Sequence, residues 1–74
     1  MKFKWEDGFV IKVEVQNKDV VLSANKEGLR SLANHLQALA EEPPGSHFHL
    51  DEYNSLEDGS NELIIAHIDT PESH

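Results

Sequence analysis

The sequence predicts a small α+β domain: an antiparallel β-sheet of four to five strands with one amphipathic helix packed on one face, in the order β-β-(β)-α-β-β. Three observations carry that expectation. Phe9, Ile11, Val13 and Val15 alternate with Val10, Lys12, Glu14 and Gln16, the period of a half-buried strand. Leu29, Leu32, Ala33, Leu36, Leu39 and Ala40 recur at the 3.6-residue period of a helix. "LIIAHI", Leu63 to Ile68, is an apolar run of strand length and reads as a central or well-covered strand.

At the N-terminus, Phe3 and Trp5 alternate with Lys2, Lys4 and Glu6. Asp7-Gly8 follows, a pair that supplies the positive φ angles of a tight hairpin, so a short first strand is expected to pair back on the Phe9–Val15 strand. A second turn, Gln16 to Asp19, leads into Val20–Leu22, in which Val20 and Leu22 share a face. The helix then starts at Asn25, whose side-chain oxygen can accept a backbone N–H two or three residues on, with Ser23 as the rival cap. Pro43-Pro44-Gly45 ends it. Glu41 and Glu42 in the last turn oppose the helix dipole at about 0.3–1 kcal/mol each, so they serve solubility or a partner. His35 falls at the edge of the helical stripe and reads as a boundary side chain.

In "GSHFHLDEY", Gly45 to Tyr53, Phe48 and Leu50 take one face of a strand while His47, His49 and Asp51 take the other. Glu52 to Glu62 reads as a polar connection with a turn at Asp58-Gly59. "DTPESH", residues 69–74, reads as a flexible tail behind a single domain of residues 1–68. A helix on one sheet face leaves the other open, and Trp5, Val10, Val21 and one side of Leu63–Ile68 are expected there, available to a second copy or a partner.

With 74 residues and no cysteine, the chain builds a small core without disulfides or thiolate chemistry. No apolar run reaches the roughly 20 residues of a membrane span, and the N-terminus lacks a signal peptide's apolar stretch; the expectation is a cytoplasmic protein that does not engage membranes. Six Lys and Arg against 14 Asp and Glu give a net charge of −8. That charge excludes nucleic acid as a partner and favours basic ones, although acidic surfaces also serve solubility alone. The asymmetry is sharper than the total. All six basic residues and five acids lie in residues 1–30; residues 31–74 hold nine acids and no Lys or Arg.

His47, His49 and Asp51 on one strand and His67 on the next are chemically sensible zinc donors, but their convergence depends on strand register. The competing reading, solvated residues of a half-buried strand, is preferred, and no metal or other cofactor is expected. A histidine beside Asp51 could act as a general base, yet one helix and a few strands leave little room for a closed cleft, so no enzymatic activity is expected. "DEYNSLEDGSNE" fails the EF-hand pattern, with Tyr53 at its third position and Leu56 at its sixth.

The stretch Val21 to Ile68, through "SANKEGLRSLANHLQALA", "GSHFHLDEY" and the closing "ELII", resembles the bacterial immunity protein 32 family, small α+β proteins encoded beside polymorphic toxins. The resemblance implies stoichiometric binding and neutralisation of a cognate toxin with a basic surface, such as a nuclease with a phosphate-binding cleft. It carries no functional residues with it. Charge therefore selects the expected contact surface: His47, His49, Asp51 and Glu52, flanked by Glu57, Asp58 and the helix-end pair Glu41 and Glu42. Two alternatives stay open, a homodimeric interaction module and a metal-binding protein using His47, His49 and His67.

Overall fold

A computed structural model of the chain describes residues 3–69. Its elements are β1 (Ile11–Gln16), β2 (Asp19–Ala24), α1 (Lys26–Ala40), β3 (His47–Leu50) and β4 (Leu63–Ala66). The α+β class and the single helix match expectation. The single sheet does not: β1 pairs antiparallel with β2, β3 pairs antiparallel with β4, and these form two separate two-stranded sheets.

The reason lies at the outer edge of β1. There the Glu57 N–H donates to the Ile11 carbonyl (2.9 Å) and the Asn61 N–H to the Val13 carbonyl (2.7 Å). The Val13 N–H completes the row with a bond to Ser60 Oγ (3.2 Å). The 52–62 connection therefore occupies the position of a third strand. It is not merely polar either, since Leu56 is 4% exposed and belongs to the core.

That occupied edge also explains why no first strand forms among the described residues. Asp7-Gly8 does make its turn, with Gly8 at φ 80° and a Phe9 N–H to Glu6 carbonyl bond of 3.3 Å. The residues before it cross the helix instead. The Glu6 N–H donates to Ser31 Oγ (2.8 Å), Asn34 Nδ2 donates to the Lys4 carbonyl (3.3 Å), and Trp5 stacks on Phe9.

Asn25 is the N-cap, and its side chain does more than cap. Oδ1 accepts from the Gly28 N–H (2.8 Å) and the Val10 N–H (2.9 Å), while Nδ2 donates to the Gly8 carbonyl (2.9 Å). One amide thus ties the Asp7-Gly8 turn, the entry to β1 and the helix start together. Past the helix, the Gly45 N–H donates to the His67 carbonyl and the His67 N–H to the Ser46 carbonyl, both 2.8 Å, extending the β3–β4 pairing.

The helix buries a face one residue away from the expected stripe. Gly28, Ser31, Leu32, His35 and Leu39 are inside; Leu29 and Leu36, at 55% and 48% exposure, are outside. One residue is about 100° of rotation. Close approach decides it, because the backbone at Gly28 sits against Val10 and Ile11, leaving no space for a side chain. His35 is consequently not a boundary residue but wholly buried, ringed by Phe3, Trp5 and Phe48.

The core is Ile11, Val13, Leu32, Leu39, Phe48, Leu50 and Leu56, joined at its margin by Trp5, Phe9, Ala24, Leu63 and Ile65. Of the residues expected on an open face, Val10 is exposed, Trp5 packs on His35, and Ile64 and Ile68 face outward. Apart from Asp69, the expected 69–74 tail lies outside the described residues. Among the described residues no helix is long and apolar enough to cross a membrane.

Candidate functional site

Strand β3 alternates as its sequence predicts: Phe48 and Leu50 are buried while His47 and His49 are exposed. The register pairs His47 with Ala66 and His49 with Ile64, so these four share the outer face of the β3–β4 hairpin. The two imidazoles lie edge to face with centroids 5.1 Å apart. His49 Nδ1 is 2.9 Å from Glu62 Oε2 across the hairpin, at about half exposure on both sides.

His67 does not join them. It follows Ala66, so strand alternation turns it to the opposite face, where Nδ1 lies 3.2 Å from the Leu39 carbonyl. There it lines a shallow groove with Leu36, Ala40 and Ile65. Among the described residues no three His, Asp or Glu side chains are grouped to hold a metal ion.

The loop after β3 is organised by its own acids. Asp51 Oδ1 accepts from the N–H groups of Tyr53 (2.9 Å) and Asn54 (3.1 Å). The Asp51 carbonyl accepts from Ser55 (3.0 Å) and Leu56 (2.8 Å), which swings Leu56 into the core. Asn54 Nδ2 donates back to the His49 carbonyl (3.1 Å), and Glu52 Oε2 accepts from the Gly59 N–H (2.6 Å), pinning the far end. Asp51 and Glu52 therefore shape the loop.

Glu57 and Asp58 are exposed on the same loop and border an open cleft shared with Val10, Lys12, Ser23 and Asn25. Glu41 is the helix C-cap and exposed; Glu42, half-buried, donates its N–H to the Leu39 carbonyl. The eight expected contact residues thus divide by task. Asp51 and Glu52 hold the loop, His47, His49, Glu41, Glu57 and Asp58 present side chains to solvent, and Glu42 is half-buried.

Sequence reasoning passed over two further residues. Glu62 sits diagonally across the ladder from His49, which is visible only once the register is known. Tyr53 stands 94% exposed on a backbone fixed by Asp51. A tyrosine held out on an anchored loop offers a large contact area at low ordering cost, the property that enriches tyrosine among interface hot spots.

The surface presented by residues 41–62 is polar and acid-rich. Neither the curated proteins nor the solved structures hold a significant match to the chain. A sequence profile of immunity protein 32 does match, over residues 19–68, from the start of β2 to two residues past β4. That span covers β2, the helix, β3, the Asp51 loop and β4, well over half of the 74 residues, and the chain belongs to the immunity protein 32 family.

Proposed function

We propose that this protein neutralises a cognate toxin by binding it stoichiometrically, with no turnover of its own, through the acid-rich surface of residues 41–62. Membership of the immunity protein 32 family carries the reading. The charge distribution supports it: nine acids and no Lys or Arg in residues 31–74 would draw a basic toxin and speed its encounter. Glu41, Glu42, Glu57, Asp58 and Glu62 supply the field, His47 and His49 polar contacts, and Tyr53 the anchor. Asp51 and Glu52 act by holding the loop in shape. A nuclease is the toxin class whose phosphate-binding cleft such a surface fits.

Calorimetric titration against the toxin encoded beside this chain tests the reading, at low and at moderate salt. One-to-one binding that weakens as salt rises is expected. Absence of binding at both salt concentrations refutes the pairing.

A further inference from the structure

The two outer edges of the β1–β2 hairpin are treated differently. Along β1, the carbonyls of Ile11 and Val13 and the N–H of Val13 are all taken by residues 57–61. These bonds also set the phase of the ladder. Ile11 and Val13 direct their backbone groups away from β2, so their partners Ala24 and Leu22, and Val20 opposite Val15, direct theirs away from β1. Among the described residues no hydrogen bond reaches the backbone of Val20, Leu22 or Ala24.

Nothing blunts that row. Its register runs unbroken over six pairs, so no bulge twists it aside, and from Val20 to Ala24 there is neither a proline nor a charge. The side chains beside it are apolar and uncovered: Val15, Val20 and Leu22, on one face of the hairpin, are 55%, 65% and 38% exposed. A strand edge of this kind templates another strand.

Charge and symmetry select the occupant. Residues 1–30 hold six bases against five acids, so repulsion between two copies of this acidic chain is least at this segment. A basic toxin finds no excess of acid to draw it there, because Asp19 and Glu27 stand beside Lys18, Lys26 and Arg30. We propose that a second copy of the chain pairs antiparallel along β2, giving a four-stranded sheet in the order β1-β2-β2-β1. A two-fold axis at Leu22 sets Leu22 against its counterpart and Val20 against Ala24, so that all three open backbone positions bond reciprocally. The Val15, Val20 and Leu22 clusters of both copies then merge into one apolar strip.

Sedimentation equilibrium of the full chain from about 1 μM to about 1 mM tests this, together with Val20→Lys, Leu22→Lys and, as a control, Leu36→Lys. The wild type and the control should rise from 8.3 kDa toward twice that mass. Both edge variants should shift the midpoint concentration by more than about tenfold. Val20 is the more exposed of the two, so its variant keeps the test valid should Leu22→Lys unfold; circular dichroism checks the fold. A wild type that stays monomeric throughout overturns the proposal. So does a dimer lost in Leu36→Lys but kept in Val20→Lys, or hydrogen-exchange protection of Val20 and Leu22 that appears only when the toxin is added.

Discussion

The imidazole of His35 stands edge-on to the indole of Trp5, centroids 4.0 Å apart at 84°, and neither of its ring nitrogens has a hydrogen-bond partner among the described residues. A polar ring is thus buried as though it were a hydrophobe. Burial pushes its pKa below the usual histidine value, because the charged form would lose its hydration with no partner in return.

Stability should therefore fall as the pH drops below about 6.5, where the unfolded chain takes up a proton that folded His35 refuses. Above that pH the contribution is constant. Urea titrations of the wild type and His35→Leu at several pH values check this, and the variant should show a flatter dependence. Equal slopes for the two would remove His35 as the cause.

Gly28→Ala should destabilise, against the trend for helix interiors. A Cβ built there would lie 2.5 Å from the Val10 carbonyl oxygen and 2.9 Å from Ile11 Cγ1. The propensity gain of about 1 kcal/mol is opposed by overpacking of about 1–3 kcal/mol, much of it against rigid backbone. A lowered denaturation midpoint is the expected result.

The rotated helix face gives a paired prediction. Leu39→Ala should cost about 2–5 kcal/mol as a buried truncation, and Leu56→Ala a similar amount. Leu36→Ala, on the exposed flank, should stay within about 0.5 kcal/mol. Comparable losses at Leu36 and Leu39 in chemical denaturation would restore the stripe expected from periodicity.

Toxin binding should separate the loop's holders from its contacts. Asp58→Asn should slow association by up to about tenfold at low salt, with little effect on stability. Tyr53→Ala should raise the dissociation rate by an amount worth about 2 kcal/mol or more and leave the melting temperature unchanged. Asp51→Ala should lower both affinity and stability, since its carboxylate accepts from the Tyr53 and Asn54 N–H groups and so holds the loop that carries Leu56. Stopped-flow kinetics beside thermal melts resolve the three.

Period-two and 3.6-residue patterns reach far into this fold. They place β1, β2, the helix and β3 closely, and Asn25 and the two prolines bound the helix as local chemistry requires. They miss what depends on contacts between distant residues. Which face of the helix turns inward is settled by the bare backbone at Gly28 and by aromatics 30 residues upstream, as with Lys4 and Asn34, not by the count of leucines. In the same way, nothing local to "EYNSLEDGSNE" reveals that it caps β1. At the surface, alternation separates His47 and His49 from Phe48 and Leu50, and it equally turns His67 away from them. It cannot tell an acid that faces a partner from one that folds its own loop, as Asp51 does.

The 57–61 cap on β1 also sets an order of events during synthesis. Val13 and Ser60 are 47 positions apart, so the ribbon of β1 and β2 is made long before the segment that shields it. Until that segment emerges from the ribosome, the ribbon has two open edges, and neighbouring nascent chains on one message hold such ribbons at high local concentration. Slow translation beyond Ala40 should accordingly lower the soluble yield.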